Sequence, residues 1–115
     1  MIGRITVVET AAYLSKAKRI MSDVELSEVV DTLSLDPLGG VLVKNSGGLR
    51  KMRVGLEGRG KRGGGRVMYW FHSREYPVVL LWAFAKNEAS DLNASQLRQV
   101  KAAADTLLAE FGASR

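Results

Sequence analysis

The chain has 115 residues, with 17 Lys+Arg against 12 Asp+Glu for a formal net charge of +5, 46% hydrophobic residues and 25% charged ones. That length fits one domain, residues 1–115, and the ordinary apolar fraction argues against wholesale disorder. The absence of Cys excludes disulfides, a thiol nucleophile and thiolate metal sites, the single His72 excludes a multi-histidine metal site, and no apolar run approaches the roughly 18 to 20 residues a membrane span needs.

In chain order, Ile5 to Val8 is a short β-prone run and predicts an opening strand. Thr10 is placed to cap a first helix through about Met21. Ser22-Asp-Val-Glu25 has the form of a capping box, and Leu26, Val29, Val30 and Leu33 then fall on one helical face until Pro37 and Gly39-Gly40 end it. Two early helices in a hairpin follow.

The middle reads as sheet. Val41 to Val43 is short and β-branched at both ends. In Leu49 to Gly55, Lys51 and Arg53 point one way and Met52 and Val54 the other. Arg66 to Ser73 predicts a strand with Arg66, Met68 and Trp70 on one face and Val67, Tyr69 and Phe71 on the other. Arg74 to Pro77 is a turn, and Val78 to Ala85 is apolar enough for a strand covered on both faces. Asn93, with Gln96 three residues on, caps a last helix whose stripe is Leu97, Val100, Ala104, Leu107, Leu108 and Phe111. The order β-α-α-β-β-β-β-α, with hairpin-spaced strands, predicts an α+β fold: a small antiparallel sheet, two N-terminal helices and a C-terminal helix, the helices packed on one side.

Charge is concentrated. Between residues 44 and 66 stand Lys44, Arg50, Lys51, Arg53, Arg59, Lys61, Arg62 and Arg66 against the single acid Glu57, so this window is +7 and the rest of the chain −2. Ten of the 12 glycines fall between Gly39 and Gly65. A basic patch built partly on glycine-lined backbone points to a polyanion, with a merely solvated basic loop as the bland alternative.

Two motifs in that window mislead. Gly58-Arg-Gly-Lys-Arg-Gly63 matches G-x-G-x-x-G but leads into a strand, not a helix, and no acid stands about 20 residues on. Gly55-Leu-Glu-Gly-Arg-Gly-Lys-Arg62 nearly matches a nucleotide-binding P-loop but ends in Arg62 where a hydroxyl must hold magnesium. What remains is a loop of amides and cations able to grip a nucleic-acid backbone. His72, alone beside aromatics, reads as a packed or edge residue ahead of an acid–base one, and Trp70, Trp82, Tyr69, Phe71 and Phe84 read as core ahead of base-stacking platforms. Glu88 and Asp91 read as charges at the entry to the last helix.

Taken together, Gly47-Gly-Leu-Arg-Lys-Met-Arg-Val54, Gly58-Arg-Gly-Lys-Arg-Gly-Gly-Gly-Arg66, Val67-Met-Tyr-Trp-Phe71 and Ala85-Lys-Asn-Glu-Ala-Ser-Asp-Leu92 resemble the RelE/HigB superfamily of toxins from type II toxin–antitoxin pairs, in its HigB-like branch. The resemblance covers residues 47 to 97. It implies a cytoplasmic, ribosome-dependent mRNA endoribonuclease that works without metal or other cofactor, contacts mRNA and rRNA, has no membrane association, and is neutralised by a cognate antitoxin, expected to be of helix-turn-helix type. The apolar edges of the N-terminal helices are one candidate surface for that antitoxin. It also implies that the RNA 2′-OH attacks its own adjacent phosphate while cations orient it, stabilise the added charge and assist proton transfer. Mapped onto this sequence, the catalytic candidates are Arg66, Arg53, Lys51 and Lys86, and the RNA-binding ones Arg50, Arg59, Lys61 and Arg62. Where the RelE branch has an Arg and a Tyr near the end of the last strand, this chain has Asn87 and Asn93. A non-catalytic RNA- or ribosome-binding module, and a degenerate toxin kept for its antitoxin contact, are the alternatives.

Overall fold

The computed structural model describes residues 3–44, 46–56, 64–86 and 92–111. Its elements are β1 (Val7–Glu9), α1 (Ala11–Ala17), α2 (Asp23–Leu35), β2 (Val41–Leu42), β3 (Leu49–Val54), β4 (Gly65–Trp70), β5 (Val78–Ala85) and α3 (Ala94–Glu110). The helix starts are those the caps dictate. Thr10 Oγ1 accepts from Tyr13 N–H and itself donates to the Leu80 carbonyl at 2.7 Å, so the cap also ties α1 to β5. Ser22 and Glu25, and Asn93 and Gln96, form reciprocal capping boxes on α2 and α3. The first helix is shorter than its sequence suggests: it ends at Ala17, and residues 18–20 are turns closed by Met21 N–H on the Ala17 carbonyl.

The five strands form one sheet in the order β1-β5-β4-β3-β2. The fold is α+β as expected, but the sheet is mixed. β2, β3, β4 and β5 pair antiparallel, whereas β1 pairs parallel with β5, Val7 opposite Val78. A parallel neighbour needs a long crossover, and here everything from α1 to β4 provides it.

The helices also do not share one side. α1 and α2 cover one face, where Tyr13, Ala17, Leu26, Val29 and Leu33 pack on Val54, Val67, Tyr69, Leu80 and Ala83. α3 covers part of the other, where Val100 and Ala104 pack on Leu49, Met68, Trp70, Val79 and Leu81. Two buried faces explain why β4 and β5 are apolar nearly throughout. The β4 alternation follows the sequence reading, with Met68 and Trp70 in the α3 core and Val67, Tyr69 and Phe71 in the other.

A bulge interrupts β4 and β5. Met68 pairs with Trp82, but Tyr69 pairs with Leu80, leaving Leu81 extra. Consequently Leu81 and Trp82, adjacent in sequence, both pack on the α3 side.

The edge strand β2 is held by side chains from the interior. Tyr69 Oη donates to the Pro37 carbonyl and accepts from Gly40 N–H, both at 2.8 Å. Arg50 donates to the Gly40 carbonyl at 2.8 Å. Burial pushes the Tyr69 phenol up, with the Gly40 amide and Arg50 pulling the other way.

Candidate active site

The sheet registers bring the candidate cations together. Arg53 stands opposite Arg66 across β3 and β4, and Arg66 stands opposite Phe84 across β4 and β5. One step along, Lys51 stands opposite Met68, and Met68 opposite Trp82. Leu49, Met68 and Trp70 belong to the α3-side core, so strand alternation puts Lys51, Arg53 and Arg66 on that same face. α3 shields the Trp70 half of this face and leaves the Gly65 half to the cations. Lys86 lies at the same end: its N–H donates to the Gly64 carbonyl at 2.8 Å, next to the start of β4.

Arg66 is the unusual member. Its residue is only 7% exposed, yet among the described residues its one side-chain hydrogen bond is from Nη1 to the carbonyl of its own neighbour Gly65, at 3.0 Å. Among the described residues no carboxylate answers it. A guanidinium has five N–H donors in a planar fork, and burying it without an anion is costly. Arg53, exposed, brings a second positive charge to the adjoining strand. Two neighbouring cations, with no acid between them among the described residues, make a site for an anion, and the planar fork matches phosphate oxygens.

Other candidates are placed differently. Arg50 lies on the opposite face from Lys51 and Arg53, engaged with the Leu38 and Gly40 carbonyls. The structure thus separates it from the cationic row and gives it the work of holding the chain before β2. Asn93 is occupied as the cap of α3, its Oδ1 accepting from Gln96 N–H at 2.8 Å. His72 lies beyond the end of β4, exposed, stacked on Trp70 with ring centres 6.2 Å apart. Arg59, Lys61, Arg62, Asn87, Glu88 and Asp91 lie outside the described residues.

Sequence reasoning missed two contributors. Phe84, buried as the sequence led one to expect, is in addition the direct neighbour of Arg66 across β4 and β5. Trp82 is half-buried and carries the Lys16 ammonium 4.0 Å from its ring centre. The basic run Lys16-Ala-Lys-Arg19, at the end of α1 and in the turn after it, was the available signal.

The chain matches the family described as the RelE toxin of the RelE / RelB toxin-antitoxin system, over residues 6–113. The chain belongs to the RelE toxin family. The match reaches well beyond the segment 47–97 on which the resemblance was first drawn and takes in β1, α1 and α2. As a RelE-family toxin the protein is one half of a toxin–antitoxin system, with a cognate antitoxin as partner. No helix among the described residues is long and apolar enough to cross a membrane.

Proposed function

We propose that this RelE-family toxin is an mRNA endoribonuclease that acts on the translating ribosome in the cytoplasm, with Arg66 at the scissile phosphate. The observation that carries the reading is the buried Arg66 guanidinium, unanswered by any acid among the described residues and faced by Arg53 across the strand pair.

Chemically, the ribose 2′-OH attacks the adjacent phosphorus, the bond to the 5′-oxygen of the next nucleotide breaks, and the products are a 2′,3′-cyclic phosphate and a 5′-OH. The hydroxyl proton leaves as the new bond forms, and the departing oxygen takes one up. Negative charge grows on the non-bridging oxygens, and fixed donors aimed there stabilise the transition state more than the ground state. Arg66 supplies those donors from a nearly buried position. Arg53 adds charge from the adjoining strand. Lys51 and Lys86 flank the row and are assigned the proton traffic. Arg59, Lys61 and Arg62 hold the mRNA or rRNA backbone.

The test is expression of wild type and Arg66→Ala, with primer extension on mRNA in a translating extract. The wild type arrests growth and produces new 5′ ends. Arg66→Ala cuts about 10² to 10³-fold more slowly, with an unchanged far-ultraviolet spectrum and melting curve. Arg66→Lys retains part of the activity, because it keeps the charge and loses the fork. A wild type that binds RNA with no new 5′ ends would make the protein a binding module instead. One that does neither yet binds its antitoxin would be a degenerate toxin.

A further inference from the structure

Follow the row Arg53, Arg66, Phe84 across the sheet and it runs off the outer edge of β5. β1 pairs with β5 only as far as Leu80, so residues 81–85 have no strand beyond them. In its place stand the C-terminal end of α1 and the first turn of α3. Between them lies a recess of about 260 Å³ lined by Lys16, Arg19, Ile20, Trp82, Phe84 and Gln96. Phe84 belongs to both places: it is the neighbour of Arg66 and a wall of the recess.

The polar groups there have spare capacity. Lys16 and Arg19 are paired with no acid among the described residues. Lys16 is parked over Trp82, 4.0 Å from the ring centre, and the bulge at Leu81 is what turns Trp82 to that position. A cation held over an indole keeps its charge and has less freedom to lose when an anion arrives. Gln96 spends its side-chain oxygen on the Asn93 N–H, and its two amide N–H donors have no partner among the described residues. Two cations and an amide donor, walled by aromatic rings, form an anion site with organic surroundings.

We propose that this recess is a second RNA subsite, holding a backbone phosphate of the same single strand whose scissile phosphate lies at Arg66. The proposal rests on the reading of the Arg66 face as the cleavage site. Strands lie about 4.8 Å apart, so the recess begins about one strand spacing from the Arg66 row, within reach of a neighbouring nucleotide. Its effect is on register: a phosphate seated between Lys16 and Arg19 fixes which phosphodiester lies over Arg66.

The experiment uses the full chain and a fluorescein-labelled, 2′-O-methylated single-stranded oligoribonucleotide, which lacks the attacking hydroxyl and is not cut. Anisotropy titrations at several salt concentrations compare wild type, Lys16→Ala/Arg19→Ala and Trp82→Leu. The double variant is expected to weaken binding roughly tenfold and to reduce the slope of log K against log salt by about 0.7, the value of one phosphate on a single strand. Trp82→Leu weakens binding less and leaves the slope alone, because it frees Lys16 without removing its charge. In the translating extract, the double variant shifts the positions of the 5′ ends. A double variant with wild-type affinity and slope overturns the subsite even where the wild type cuts mRNA. A wild type that shows the subsite's slope but produces no 5′ ends overturns the nuclease reading alone. Loss of antitoxin affinity with RNA binding intact would assign the recess to the antitoxin and overturn the proposal. Melting curves of each variant, matched to that of the wild type, verify that the fold is retained.

Discussion

At the scale of single residues, the same side-chain type does opposite work on the two faces of β3. Arg50 and Arg53 are three positions apart, so alternation sends them to opposite sides of the sheet. One is spent on the Leu38 and Gly40 carbonyls; the other stands beside Arg66 with its charge to offer. Tyr69 is the partner of Arg50 in that structural task. Tyr69→Phe removes the donor to Pro37 and the acceptor for Gly40 while changing little volume, leaving two backbone groups unanswered in a buried place. The expected cost is about 1 to 3 kcal/mol, read as a melting temperature lowered by roughly 5 °C or more. Cleavage per folded molecule should be retained, since Tyr69 faces away from the cations. An unchanged melting temperature would show that the loop before β2 does not depend on this phenol.

At the scale of elements, the turn into β3 shows how much rests on backbone shape. Gly47 and Gly48 have φ of +65° and +111°, and a Cβ on Gly48 would come within 2.8 Å of the Phe71 carbonyl oxygen. That approach lets Phe71 N–H donate to the Gly48 carbonyl and Trp70 Nε1 to the Gly47 carbonyl, locking the β3–β4 register on which the Arg53–Arg66 pair depends. Gly48→Ala is expected to destabilise by more than about 1 kcal/mol, whereas Gly3→Ala, with open space around it, should be silent in the same melting experiment. Much of this level is readable from sequence. The caps at Thr10, Ser22 and Asn93 are local chemistry, and the alternation of Lys51 and Arg53 against Met52 and Val54 follows from a period of two. What is not readable has a common cause. The parallel pairing of β1 joins residues 71 positions apart, Val7 with Val78. The bulge lies within Val78 to Ala85, a continuously apolar run with no alternation to interrupt. The placing of α3 on the opposite face from α1 and α2 is a choice of side that an amphipathic stripe does not encode.

At the scale of the whole molecule, the sheet divides two cores, and the α1/α2 side holds both deeply placed tyrosines. The Tyr13 hydroxyl is buried without a hydrogen-bond partner among the described residues, and burial, with Glu9 adding to it, drives its ionisation well above the ordinary phenol range. The Tyr69 phenol is shifted in the same direction. In the unfolded chain both ionise near pH 10, so above that value the folded state binds more protons than the unfolded one. The stability these phenols support is therefore whole below about pH 10 and is lost as pH climbs toward their folded values. Absorbance at 295 nm should show Tyr13 and Tyr69 ionising in the same transition in which circular dichroism reports unfolding. Phenolate appearing while the fold persists would contradict their burial. Charge is divided as well: a groove between α1 and α2 is lined by three acids, Glu9, Asp23 and Asp31, against one cation, Lys18, with Asp31 also 3.5 Å from Arg4, while Arg53 and Arg66 share the face that α3 only partly covers. Such a distribution orients the molecule as it approaches a polyanion.

The parallel β1–β5 pair has a consequence in time. During synthesis the first strand emerges early but has nothing to pair with until Val78 to Leu80 has also been made. Thr10, whose hydroxyl caps α1 through Tyr13 N–H and also donates to the Leu80 carbonyl, gains that second bond only when the same residues exist. The Arg66 face, whose neighbour Phe84 comes later still, cannot be assembled on a nascent chain that stops short of β5. The face that gathers Arg53 and Arg66 therefore forms only after β1 to β4 and both N-terminal helices have been made.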